Sequence, residues 1–325
     1  MPEGLTVAVT GPTGDIGRAF LRALDRRREV RHVLGMARRP FDAAAMGLRK
    51  TEYRQGDVLD RAAVDSLVTD ADVVVHLAFV IVGGREETRS VNLEGSRNVF
   101  AAAAASAVRL VYTSSVAAYG FHPDNPQPLT EDVRPRGSEG FYYSAQKAEL
   151  ERALTDAMDG SDTAAYVFRP CIVAGEDALA MFRELPYARI PGALRWAVPP
   201  LLPDPGTAFQ LVHHDDVASA LVAAVLGRGA PGAYNLAGEG TITVGAVASA
   251  LGWRSFPVPR AGVAAAASAA ALPLVPPQAQ WLNAVRVPVV MDTTKARREL
   301  RWHPRHDTLA TLRATVAAAR EQGLI

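Results

Sequence analysis

The residues best suited to chemistry are a tyrosine and a lysine four positions apart, in Tyr143-Ser144-Ala145-Gln146-Lys147. Residues 141–158 have helical periodicity, and a spacing of four puts both side chains on one helix face, within reach of one shared ligand. A free phenol titrates at about 10, too high for a base near neutrality. A neighbouring ammonium favours the phenolate, so the pair is expected to lower the pKa of Tyr143 and move a proton. A buried tyrosine beside a lysine that lays its stem on apolar surface has the same spacing. The pair gains meaning from Thr113-Ser114-Ser115, which ends an apolar run at 109–113. A hydroxyl there can hold a substrate oxygen while Tyr143 gives or takes the proton. Turn capping accounts well for Thr113 and Ser114 and less well for Ser115.

These side chains need a scaffold, and the chain supplies an alternating one. An apolar run at residues 5–9 reads as a strand, and Ile16, Ala19, Phe20 and Leu24 have helical spacing. Between them lies Thr10-Gly11-Pro12-Thr13-Gly14-Asp15-Ile16-Gly17, a Gly-x-x-Gly-x-x-Gly turn. Such a turn brings backbone N–H groups and a positive helix end to a phosphate. Three glycines also serve a tight turn; the position after the first strand and before the first helix favours a dinucleotide. Further strands are read at 31–37, up to 55–58, at 72–78, 109–113 and 164–168. Helices lie between them, one of them long, from about 86 to 107. The expected fold is a doubly wound parallel Rossmann-type α/β sheet with a smaller C-terminal substrate lobe. Residues 1–174 would form the dinucleotide-binding domain, with 213–237 returning to it; 175–212 and 238–325 would form the lobe over the strand ends.

Bulk properties narrow the partners. The chain has 325 residues, 49% apolar and 21% charged, with net charge +1, an ordinary composition for a globular enzyme. Its arginines are scattered, so no nucleic acid is expected as a partner. One cysteine, Cys171, excludes an internal disulfide. No signal segment is read at the N-terminus. The apolar stretch at 261–277 is broken by Pro273, Pro276 and Pro277 and falls short of the roughly 20 residues of a membrane span. A cytoplasmic protein with a small-molecule substrate and no membrane partner is expected.

Taken in order, the motifs Thr10 to Gly17, Gly56-Asp57-Val58, His76-Leu77-Ala78, Val91-Asn92 to Gly95, Thr113-Ser-Ser115 with Tyr119-Gly120, Tyr143-x-x-x-Lys147, Arg169-Pro170 and Tyr234-Asn235-Leu236 span most of the chain. The chain thereby resembles the extended short-chain dehydrogenases/reductases of the NAD-dependent epimerase/dehydratase superfamily. The resemblance implies a catalytic set of Ser115, Tyr143 and Lys147, with Lys147 holding the nicotinamide ribose and Tyr143 as general acid/base. It implies that Gly11, Gly14 and Gly17 cradle the pyrophosphate, with Thr13, Asp15 and Ile16 in the same turn. Asp57 would meet the adenine amino group with Val58 beside the ring, Leu77 and Ala78 would line the cleft, and Pro170 to Val173 would pass the nicotinamide. Related proteins dimerise through helices near the alanine run 101–105, so a homodimer is an expectation by analogy.

Departures from the family pattern shape the expected reaction. Val116-Ala117 stand where sugar dehydratases carry Asp-Glu, so sugar dehydration is not expected. Phe209 stands where nucleotide-sugar epimerases place an arginine on the diphosphate, and only Arg286-Val287-Pro288 answers the second such arginine. With Phe182, Trp196 and Trp281 in the same part of the chain, a small, weakly charged substrate is expected. Met36-Ala37-Arg38-Arg39 lacks the acid that grips the ribose of NAD, and Arg38 suits the 2′-phosphate, so NADP(H) is expected over NAD(H). Two solvated arginines at a strand end would read the same way. No metal is expected. His213-His214-Asp215-Asp216 shows no further ligands in sequence and reads as a strand end with a helix cap from Asp215 or Asp216. Asp15 reads as a capping residue. The function expected is NAD(P)-dependent hydride transfer between nicotinamide and a carbonyl or alcohol carbon. An NAD-retaining sugar epimerase is the first alternative, and a non-catalytic dinucleotide-binding regulator the second.

Overall fold

The computed structural model describes residues 4–81, 88–179, 201–269 and 277–325. Its central sheet is built from β1 (Leu5–Thr10), β2 (Val30–Ala37), β3 (Thr51–Gln55), β4 (Val73–His76), β5 (Arg109–Thr113) and β6 (Ala164–Pro170), joined at the edge by β10 (Gly232–Leu236). The order is β3-β2-β1-β4-β5-β6-β10, and every pairing is parallel. The chain winds outward from β1 to β3, then returns to β4 on the other side of β1. The crevice between β1 and β4 is therefore the switch point of the sheet, where such folds bind ligands.

Side-chain alternation assigns the two faces. Val7 and Val9 of β1 point to one face, with Val33, Val75 and Val111. There they meet Phe20, Leu21 and Leu24 of α1 (Asp15–Asp25). Ala8, Leu34, Val74 and Leu110 point to the other face. There they meet α2 (Arg61–Val68), α3 (Gly95–Ser106) and α4 (Tyr142–Met158) through Leu67, Phe100 and Leu150. Because both faces are covered, the strands read as nearly continuous apolar runs. α5 (His214–Val225) completes the first face beside α1.

The long helix read at 86–107 differs from expectation. Its described part starts at Thr88, and a π turn at Ser90–Glu94 precedes α3. Gly95 follows that turn because a Cβ there would lie 2.4 Å from Cγ2 of Val58. The strand read at 72–78 ends at His76, leaving Leu77 and Ala78 in the loop beyond it.

After β6 the chain forms β7 (Ile172–Ala174), which pairs with β9 (Leu211–His213), and β8 (Leu201–Asp204), which pairs with β11 (Arg254–Pro257). α6 (Val244–Leu251) and α9 (Thr308–Glu321) pack with Phe209, Leu211 and Ile242 into a third, smaller apolar cluster. α7 (Arg260–Ala269) and α8 (Thr294–Glu299) complete the helices named here. Among the described residues, no helix is long and apolar enough to cross a membrane.

Candidate active site

The glycine turn sits at the mouth of the β1/β4 crevice, and its three glycines serve different ends. Gly11 has φ +75°, and a Cβ on it would lie 2.7 Å from the Ala78 nitrogen. A Cβ on Gly17 would lie 2.4 Å from the Gly11 carbonyl oxygen. Both positions are closed by the protein itself. Gly14 is exposed, and its Cβ would come no nearer than 3.6 Å to the chain. Gly14 is also the N-cap of α1 and supplies no side-chain cap. The helix start therefore has no side-chain cap from its N-cap residue, an arrangement that can receive an anion. The capping role read for Asp15 is corrected here, because Asp15 lies inside the first turn. It faces Arg18 at 3.5 Å, which tempers its negative charge. Thr13 and Ile16 are half-buried in the same turn.

The other residues expected to meet the cofactor lie as follows. Asp57 follows β3, and one of its carboxylate oxygens accepts from the Leu59 amide at 3.0 Å, while Val58 is buried against α3. Arg38 and Arg39 follow β2 and are exposed. Leu77 and Ala78 are half-buried beside the glycine turn, and their loop is fastened from behind. Asn92, on the π turn, takes the Val80 amide at 2.8 Å and donates to the Val80 carbonyl and to Gln146, both at 2.9 Å. The Tyr142 hydroxyl donates to the Ile81 carbonyl at 2.5 Å. At the end of β6, Pro170 is buried and Val173 half-buried.

The three residues expected to form the catalytic set lie where β5 ends against α4. Ser115 is buried, caps the 3-10 turn Val116–Tyr119, and hydrogen-bonds Tyr143. Burial pushes the Tyr143 phenol up to about 12, with the Ser115 bond opposing the shift. This corrects the expected lowering. Desolvation disfavours the phenolate, and Lys147 is itself pushed down to about 7 by burial, so its charge is only partly available near neutrality. The Lys147 ammonium donates to the Thr113 carbonyl at 3.0 Å and lies 3.8 Å from the centre of the Phe79 ring. Phe79 also meets Tyr143 edge-on at 5.5 Å. Sequence reasoning missed Phe79, because its place depends on how the loop after β4 turns back.

Beneath the triplet lies a buried polar chain. Ser114, read as a turn cap, instead donates to Glu151 at 2.6 Å. Glu151 pairs with Arg169 at 2.6 Å, and both are buried. Arg169 donates to the Tyr119 hydroxyl at 2.9 Å, and Tyr119 donates to Asn235 at 2.7 Å. Glu151 was also missed, although it continues the step of four from Tyr143 through Lys147. His76 is buried between Thr10 (2.6 Å) and Ser96 (2.8 Å), and burial lowers it to about 3, so it is a neutral strand-end residue. Cys171 is buried and its thiol is pushed up, which makes it inert.

The histidine pair needs two corrections. His213, not Asp215 or Asp216, caps α5: its Nδ1 accepts from the Asp215 amide at 3.2 Å. Asp216 is buried and accepts from the Arg305 and His306 amides. The fold also brings Glu176 to this place, so that ligating atoms of Glu176, His213 and His214 lie within 4.8 Å of one another. With Nδ1 of His213 accepting, its Nε2 carries the hydrogen and donates to Glu176 at 2.8 Å. That nitrogen has no lone pair for a metal. Phe209 is buried, bridging Ile242 and Val289. Arg286 donates to the Phe121 carbonyl at 2.6 Å. Phe182, Trp196 and the side chain of Trp281 lie outside the described residues.

The chain belongs to the NAD dependent epimerase/dehydratase family, which it matches over residues 7–237. Sterol demethylase protein B of Methylococcus capsulatus is 33% identical over 203 residues, 58% of this chain and 61% of that protein. The ceramide reductase of Caulobacter vibrioides is 30% identical over 221 residues, 67% of this chain and 60% of that protein. The chain thus spans about three-fifths of the length of these curated relatives. The fold is shared with UDP-glucuronic acid 4-epimerase of Bacillus cereus, solved in complex with NAD (TM-score 0.74, 17% identity, covering 98% of this chain and 99% of that one).

Proposed function

We propose that this protein is a nicotinamide-dinucleotide-dependent oxidoreductase acting on a carbonyl or alcohol carbon of a weakly charged substrate. The observation that carries the reading is the convergence of Ser115, Tyr143 and Lys147 beside a glycine turn whose helix end carries no side-chain cap. The residues suit the cofactor: Gly14 leaves room at the first-turn amides for a pyrophosphate, and Lys147, bonded to the Thr113 carbonyl, carries further hydrogens that could go to a ribose. When bound, the nicotinamide supplies or accepts the hydride. The chain's own part is the proton. With its pKa raised, Tyr143 stands protonated near neutrality and serves as the acid toward a carbonyl oxygen that Ser115 helps to hold.

The substrate side is assigned to residues 175–212 and 238–325, and the dinucleotide domain to 1–174 with 213–237. Phe209 in place of a diphosphate-gripping arginine supports a weakly charged substrate, as does the engagement of Arg286 with a backbone carbonyl. The relatives named for a sterol and for ceramide point the same way. The alternative is a sugar epimerase that retains its NAD, supported by the shared fold of the Bacillus cereus enzyme. Tightly held NAD(H) in the purified protein, with no net consumption of added cofactor, would decide for it.

Cofactor choice turns on Arg38. Its exposed position after β2, with no acid beside it, supports NADP(H), whereas the Bacillus cereus structure holds NAD. Titrating NADPH and NADH into wild type and Arg38→Ala tests this; the expected result is a loss of NADPH affinity of about tenfold, one charge-assisted bond's worth. An unchanged NADPH/NADH ratio overturns the NADP preference, and absence of binding to wild type by both overturns the dinucleotide reading. A homodimer would use α3, where Ala101, Ala104 and Ala105 line a shallow groove with Ala157 of α4; light scattering of the purified protein tests it.

A further inference from the structure

Three residues of α4, stepped along one face, hydrogen-bond the segment that carries Ser115. Ser144 donates to the Ala117 carbonyl at 2.6 Å, Lys147 to the Thr113 carbonyl at 3.0 Å, and Glu151 accepts from Ser114 at 2.6 Å. The third bond differs in kind, because its acceptor is a buried carboxylate. Ser114 and Arg169 Nε share one oxygen of Glu151, and Arg169 Nη2 donates to the other at 2.6 Å. Glu151 also lies one helical turn beyond Lys147, on the same face.

We propose that Glu151 is a positioning residue of the active site, holding Ser114, and through it Ser115, against α4 while placing a negative charge beneath the Lys147 ammonium. This rests on the Ser115/Tyr143/Lys147 reading above. Among the described residues, the charged and titratable groups that face Lys147 are few. They are Glu151 and Tyr143 on α4, Tyr112 on β5 with its hydroxyl at 3.5 Å, and His76 on β4. His76 is neutral at any pH where the protein would work, and the tyrosines keep their protons. Glu151 is therefore the anion opposing the desolvation that pulls Lys147 down. Arg169 is bound to both oxygens of the same carboxylate and holds it in place.

The sequence makes the test direct, since Lys50, Lys147 and Lys295 are the only lysines in the chain. With carbon-13 at lysine Cε, three signals are expected, and Lys147→Met identifies the one that titrates below the others. Glu151→Gln should move its midpoint down by about one pH unit or more, because an opposing charge is lost. Glu151→Asp, which keeps the charge, should leave it near wild type. Where Glu151→Gln does not fold, the double variant Glu151→Gln/Arg169→Met leaves no unpaired buried charge, and a smaller downward move is expected. A midpoint that is unmoved or raised in the folded variant overturns the proposal, as does an equal fall in Glu151→Asp. The dinucleotide reading is tested separately on the same sample, by whether NADPH or NADH shifts the Lys147 signal of wild type.

Discussion

Tyr143 and Lys147 each pay for burial in the opposite currency. The phenol is held in its neutral form, and the ammonium is drawn toward its neutral form. A pair of this kind donates a proton readily once a developing alkoxide offers a stronger acceptor than water-poor protein does. Tyr143→Phe removes that proton and leaves the ring packing. NADH oxidation with a panel of carbonyl compounds is expected to fall by about 100-fold or more, while NADH affinity stays within about twofold of wild type. Equal activity in the variant would assign the proton to another group. The depressed Lys147 pKa also bears on stability. Between about pH 7 and the unfolded lysine value of about 10.4, the unfolded chain binds one more proton here than the folded one. Stability from this group therefore rises with pH across that window. The difference in unfolding free energy between wild type and Lys147→Met should change with that sign from pH 7 to 9.5; a flat difference would place Lys147 in a wetter site.

Among the elements, the turn between β1 and α1 separates folding from binding most clearly. Gly11 and Gly17 are closed off by Ala78 and by the Gly11 carbonyl, whereas nothing in the chain crowds Gly14. Gly17→Ala is expected to lower the melting temperature by several degrees, the scale of about 1–3 kcal/mol for overpacking. Gly14→Ala should melt as wild type does and yet bind NADH at least about tenfold more weakly, because its methyl occupies the space before the first-turn amides. A thermal scan and an NADH titration on the two variants check both halves. If Gly14→Ala binds normally, the phosphate rests elsewhere. The π turn at Ser90–Glu94 works in the same spirit. It turns Asn92 inward to hold both backbone groups of Val80, and so fixes the loop that carries Phe79 over Lys147.

For the whole molecule, the Glu151–Arg169 pair joins parts of the chain that are far apart in sequence. From Arg169 the chain of bonds runs through Tyr119 to Asn235, whose side chain donates to the Leu129 and Asp292 carbonyls. β5, α4, β6, β10 and the segment before α8 are thereby tied at one point. Removing one charge of a buried pair costs about 3–5 kcal/mol, because its partner is left uncompensated. Arg169→Met should accordingly show a large loss in denaturant midpoint, and Arg169→Met with Glu151→Gln should recover most of it. Two losses that simply add would show that the residues act apart.

The sequence by itself determined the parallel sheet and the glycine turn, and singled out Ser115, Tyr143 and Lys147 as candidates. Apolar runs of period two, glycines between strand and helix, and a step of four are local patterns that chain geometry turns directly into structure. Leu5–Thr10 and Tyr142–Met158 stand within a residue or two of their sequence reading for that reason. The tertiary structure alone decided the environments. Whether Tyr143 is acidified or made more basic depends on how much water reaches it, which no spacing encodes. Glu176 met His213, and Phe79 covered Lys147, only because the loops after β7 and β4 turn back over the strand ends. Spacing along the chain could identify the groups that do chemistry, but their proton affinities follow from burial and from partners brought in over long sequence distances.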